Sequence, residues 1–130
     1  MEKPEEKLMA LYSQCEKLDN ALPADLLKKM ELYGQIFELT GKLHAMALGD
    51  WKRAEAIRRE KLATSYKAAD GTVKDKEMEA EAQAAQARQA EADAEEEATR
   101  WRNAKDSTSE QIQLFKIMLR DMKDLNNGKI

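Results

Sequence analysis

The chain has 130 residues, 36% of them charged, 42% hydrophobic and only 5% aromatic, with a formal net charge of -3 and a mean hydropathy of -0.77. That length suffices for one ordinary domain, but the composition excludes a thick globular core, while five Gly, two Pro and the weak charge exclude disorder as its cause. No apolar run approaches the ~20 residues that cross a bilayer, and the near-neutral charge supplies no general pull toward nucleic acid or an anionic membrane.

The lone Cys15 excludes an internal disulfide, and the opening MEKPEEK holds no apolar stretch of the signal-peptide kind. The expected location is the cytoplasm. Pro4 followed by Glu5 and Glu6 suits the start of a helix, because proline is tolerated in the first turn and acids there complement the helix dipole. Leu8, Leu11, Tyr12, Cys15, Leu18 and Leu22 then recur at spacings of three and four, which predicts an amphipathic helix over 5–20, ending near Asp19 and Asn20.

Pro23 and Asp25 open a second helix, and nothing halts it before Asp70, so it is expected over 24–69. Leu26, Met30, Tyr33, Phe37, Thr40, His44, Ala47, Trp51 and Ala54 alternate steps of four and three, the seam of a heptad repeat. A second stripe of Leu32, Ile36, Leu39, Leu43 and Met46 stops where Asp50 arrives. Residues 26–48 therefore call for two neighbours and residues 51–66 for one, the first helix being the obvious extra neighbour. Gly34, Gly41 and Gly49 each cost about 1 kcal/mol relative to alanine in an exposed helix, which points to close approach of another backbone or room for a large side chain.

A turn is expected at 70–72, because Gly71 can adopt the left-handed conformation that closes a helix, and Thr72 with Asp75 matches a capping box. A third helix over 73–125 carries a seven-residue ladder of Val73, Ala80, Ala87, Ala94, Trp101, Thr108, Phe115 and Met122. Ala84, Ala98, Ile112 and Leu119 supply the companion position, which Glu77, Glu91 and Lys105 break. Ser107 and Glu110 have the spacing of a second cap. The helix is thus continuous or gently kinked near 106, continuity being favoured because the heptad phase survives there, and Asn126, Asn127 and Gly128 end it.

The expected fold class is all-α: a long antiparallel helical hairpin, coiled-coil-like, with the short N-terminal helix packed at its base. With the turn centred on residues 70 and 71, equal steps back from it are level, so Trp51 faces Ala90 and Trp101 faces Thr40 and Gly41, large against small. The alanine ladder gives thin packing near the turn. Phe115, Met118, Leu119, Met122 and Leu125 form a thick base with the first helix and residues 26–39, and binding is expected there.

His44 and Cys15 are single residues of their kinds on apolar stripes, where core packing outweighs a zinc site or a Cys-His nucleophile that would need further partners. There is no phosphate-cradling glycine loop, no Glu-x-x-His pair and no G-x-S-x-G. Glu77, Glu79, Glu81, Glu91, Asp93, Glu95, Glu96 and Glu97 fit a solvated helical face better than paired catalytic acids. No catalytic residue, cofactor or metal is assigned, and a hydrolase or metal enzyme is the weakest of three readings.

The run ATRWRNA over 98–104 followed by STSEQI over 107–112, with WKRA at 51–54 and DGT at 70–72, resembles small helical proteins encoded by tailed phages of Gram-positive bacteria. The resemblance spans roughly residues 33 to 120. It implies an early phage protein acting in replication or recombination, or as an inhibitor of a host defence system, and it transfers no catalytic residues.

The leading expectation is a non-enzymatic protein–protein interaction module that binds itself, as a homodimer, and one further protein. The interface is assigned to Leu32, Ile36, Leu39, Leu43 and Met46 with Phe115, Met118 and Met122, because that stripe exceeds what a short first helix covers. The alternative is a nucleic-acid accessory protein using Lys52, Arg53, Arg58, Arg59 and Lys61 with Arg100, Arg102 and Lys105. Against it stands a simpler account, in which the basic cluster matches the acidic run at 77–97 on the facing helix.

Overall fold

The computed structural model describes residues 2–126. It is all-α, with four helices and no strand among the described residues: α1 (Pro4–Glu16), α2 (Pro23–Ala68), α3 (Val73–Gln83) and α4 (Ala85–Asn126). Helix α2 leads into the turn at 69–72, and α3 and α4 follow it. The helices divide into two units, one combining Met1–Leu43 with Trp101–Ile130 and the other comprising His44–Arg100.

The first unit packs α1 against the N-terminal part of α2 and the C-terminal part of α4. Leu8, Leu11 and Cys15 of α1, Leu26, Leu32, Ile36 and Leu43 of α2, and Trp101 and Phe115 of α4 are buried. An aromatic row links the three helices: Tyr12 meets Tyr33 edge to face at 6.4 Å, and Tyr33 meets Phe115 at 5.1 Å. Two buried threonines cost nothing in unmade hydrogen bonds. The Thr40 hydroxyl donates to the Ile36 carbonyl at 2.9 Å, and that of Thr108 to the Ala104 carbonyl at 2.7 Å.

Helix α1 ends at Glu16 rather than near residue 20. The Lys17 and Leu18 amides turn back to the Gln14 and Cys15 carbonyls, and the polar side chains beyond then bond locally instead of extending the helix. Ala21 N–H donates to Asp19 Oδ1 at 2.9 Å, Asp19 N–H to Asp25 Oδ2 at 3.0 Å, and Lys29 Nζ to Asn20 Oδ1 at 2.7 Å. Leu22, expected on the α1 stripe, is consequently exposed.

The second unit pairs the remainder of α2 with α3 and the start of α4. Its turn follows the sequence signal closely: Gly71 has φ 106°, Asp75 N–H donates to Thr72 Oγ1 at 3.2 Å, and Thr72 N–H to Asp75 Oδ2 at 3.2 Å. The fully buried apolar residues here are all alanines, namely Ala47, Ala80, Ala84 and Ala98. Trp51, Leu62 and Tyr66 stay half-buried.

The return helix is interrupted at Ala84 and not near 106. Ala84 takes φ -89° and ψ 0°, yet its N–H still reaches the Ala80 carbonyl at 3.0 Å and its own carbonyl accepts from Arg88 at 2.9 Å. Dihedral regularity is lost there while the hydrogen-bond ladder continues. Since alanine is the best helix former and Ala84 is wholly buried, the interruption has no local sequence cause. At 106–110 the Ser107–Glu110 cap does not form, because Thr108 bonds back into a continuous helix. The expected stop at Asn127 and Gly128 lies outside the described residues.

Side-chain pairing also departs from equal steps. In the second unit Arg58 takes Glu91, not Gln83, and in the first Tyr33 meets Phe115, not Thr108. In both units the partner on the return helix thus lies about two helical turns further from the turn than equal steps place it, an offset larger than the N-terminal lean of helical side chains supplies. The helical glycines correct a second expectation. A Cβ on Gly34 meets nothing, one on Gly49 meets only Arg53 a turn away, and one on Gly41 meets the Lys105 stem at 3.9 Å, with no atom of Trp101 within that range.

Candidate interaction surfaces

The residues assigned to an interface divide sharply. Leu32, Ile36, Leu43 and Phe115 are buried inside the first unit, and Leu39, Met118 and Met122 are half-buried. Only Met46 is exposed, at 60%. The apolar stripe of α2 is therefore covered within the chain, since α1 lies beside it with Leu11, Ala10 and Gln14 next to Gln35, Leu39 and Lys42. An interface built on its three buried members or on Phe115 of α4 is excluded, because reaching them would unfold the bundle.

Large apolar residues are exposed elsewhere. In the first unit they include Leu27 and Phe37 on α2 and Leu114, Ile117 and Leu125 on α4; in the second they include Ile57 and Met78. Leu114, Ile117 and Leu125 share one face of α4 by helical spacing, outside the heptad ladder. Their off-ladder spacing was the signal in the sequence, masked by the stronger ladder beside it.

The basic cluster is largely tied to carboxylates. Arg53 pairs with Asp50, Arg59 with Glu55 at 3.0 Å, Lys52 with Glu55 at 3.9 Å, and Arg100 with Glu97 at 3.2 Å, all within a helical turn. Arg58 crosses to the facing helix, where its Nε donates to Glu91 Oε2 at 2.7 Å with side chains 19% and 23% exposed. The expected match between basic and acidic arms is thus represented by the Arg58–Glu91 pair, while Lys52, Arg53 and Arg59 are neutralised locally on α2. Lys61 and Arg102 remain on the surface, and Lys105 lies half-buried over Gly41.

Glu91 and Lys105, the polar interruptions of the heptad companion position, are thereby explained. One is neutralised across the seam, and the other lays an aliphatic stem over a glycine. A second pair spans the Ala84 interruption: Arg88 Nε and Nη2 donate to the two oxygens of Glu81, both at 2.7 Å. The Arg88 hydrogen bonds hold the Glu81 carboxyl below its ordinary range.

No chemistry converges on the two distinctive side chains. Cys15 is buried, and burial raises its thiol pKa against the weaker pull of Lys29. His44 is half-buried, and no cluster of His, Cys, Asp and Glu able to hold a metal occurs among the described residues. Nor is any described helix long and apolar enough to cross a membrane.

Two shallow grooves flank the seam of the second unit. One runs between Lys61, Thr64, Ser65 and Ala68 of α2 and Asp75, Glu79 and Gln83 of α3. The other, of about 450 Å³, has Leu62, Ala63, Tyr66 and Ala80 on its floor, with Arg59 and Lys67 on the α2 wall and Glu77 and Glu81 on the α3 wall. The chain thus belongs to the all-α class, and its second unit is a helical hairpin with surface grooves. No protein-family model, curated protein or solved structure matches the chain.

Proposed function

We propose that this protein is a non-enzymatic interaction module that works by presenting a helical surface to another protein in the cytoplasm, in the manner of the small phage-encoded proteins its Trp101 region resembles. One observation carries the reading: Leu114, Ile117 and Leu125 leave a row of large apolar side chains exposed on one face of α4, the kind of surface that marks protein recognition. The nucleic-acid alternative loses support from the carboxylates that occupy Lys52, Arg53, Arg58, Arg59 and Arg100.

The test is capture from bacterial lysate with the full chain, repeated with Leu114→Glu and Ile117→Glu together. A protein retained by the parent and lost by the double variant, at unchanged helicity, is the expected result. Retention by both moves the surface elsewhere. A low-salt gel shift with DNA or RNA that weakens steeply as salt rises favours the nucleic-acid reading instead.

A further inference from the structure

We infer that the groove floored by Leu62, Tyr66 and Ala80 seats a second copy of this chain, two 44–100 hairpins closing into a four-helix bundle with each α2 over the partner's α3. The inference rests on the interaction-module reading and gives it a defined partner at a second surface. Its first support is incomplete burial. Two helices form a single layer, and a layer with an apolar stripe needs another against it. Here the fully buried side chains are alanines, while Leu62 and Tyr66 remain open to the groove.

Charge selects the occupant. The groove walls have opposite sign, Arg59 and Lys67 on α2 facing Glu77 and Glu81 on α3. A twofold axis parallel to the helices lays the α2 wall of one copy over the α3 wall of the other, so each cation meets a carboxylate twice by symmetry. A twofold axis across the helices would set like charge on like, which fixes the orientation. Arg59 and Glu81 already hold Glu55 and Arg88 within the chain, whereas Lys67 and Glu77 are exposed, with no ion pair among the described residues. Those two are the charges left for a partner. Lys76 Nζ lies 5.8 Å from the Tyr66 ring centroid, and Tyr66 also lines the groove.

The test uses sedimentation equilibrium on the full chain, with circular dichroism as the control for fold. Wild type is expected to dimerise at micromolar to high micromolar concentration. Lys67→Glu and Glu77→Lys are each expected to weaken dimerisation about tenfold or more. Mixing the two variants is expected to restore it, since Glu at 67 then meets the partner's Lys at 77, while Lys67 meets the partner's Glu77.

A wild type that stays monomeric at high micromolar concentration overturns the inference, as does a dimer indifferent to both substitutions. Failure of the mixture to recover overturns the proposed orientation and, with it, the inference. None of these results touches capture of another protein through Leu114 and Ile117, so the two readings fail separately.

Discussion

Cys15 shows how one side chain reports its surroundings. A buried thiol resists ionisation, so in the folded chain its pKa lies above the ordinary 9.0, and that of Tyr33 lies above 10.0, chiefly through burial. For a group whose folded value is raised, the stabilisation is full below the unfolded value and is lost as the pH climbs through the folded one. Stability should therefore hold up to about pH 9 and fall above it. A urea titration across pH 7 to 11 checks this, and Cys15→Ala should flatten part of the decline. Alkylation of Cys15 at pH 8 should be slow in the folded protein and fast in urea.

At the turn, Gly71 and Thr72 carry separable roles. A Cβ on Gly71 would be strained by φ 106° and would lie 2.8 Å from Asp75 Oδ2, so Gly71→Ala is expected to destabilise by about 1–2 kcal/mol. Thr72→Ala removes only the acceptor for Asp75 N–H and should cost about 1 kcal/mol. Gly34 is the opposite case, an exposed helical glycine with open space around its Cβ position. Gly34→Ala should stabilise by about 0.5–1 kcal/mol, because alanine loses less backbone entropy on folding. Chemical denaturation midpoints discriminate all three.

Among the elements, the Arg58–Glu91 pair bridges α2 and the return helix. At 19% and 23% exposure it lies between surface pairs, worth at most about 1 kcal/mol, and buried ones, whose disruption costs about 3–5 kcal/mol. Glu91→Ala is accordingly expected to cost about 2 kcal/mol, by stranding a half-buried guanidinium. Replacing both partners, Arg58→Met with Glu91→Leu, should be near neutral in stability, since no charge is then left unpaired. A double-mutant cycle measures the coupling. These elements were mostly legible in the sequence: the heptad ladder located both long helices, and Thr72 with Asp75 located the cap. The end of α1 was not, because Leu18 and Leu22 continue the apolar spacing while the side-chain bonds of Asp19 and Asn20 stop the helix.

Across the molecule, stability should be unevenly distributed. The first unit buries leucines, Ile36, Trp101 and Phe115, whereas the second fully buries only alanines. Burying a large aliphatic or aromatic side chain contributes about 1.5–3 kcal/mol, against about 0.8 kcal/mol for a single methyl-sized group. Amide exchange in dilute solution should therefore be slower over 26–43 and 101–119 than over 51–66 and 76–97. Equal protection in both regions would contradict that distribution.

The sequence alone determined the course of the long helices and the turn between them, because heptad spacing, helix formers and a Gly-Thr-x-x-Asp turn act over a few residues and need no knowledge of what lies opposite. Only the tertiary structure decided which apolar residues remain outside. Leu32, Ile36 and Leu43 look like an unmet surface until α1 is in place, whereas Leu114 and Ile117 look incidental beside the ladder until the core has formed without them. Ala84 and the Arg58–Glu91 pair belong to the same side of the division, since register and interruption arise from side chains meeting across helices. Periodicity specifies a helix's face but not the neighbour that covers it.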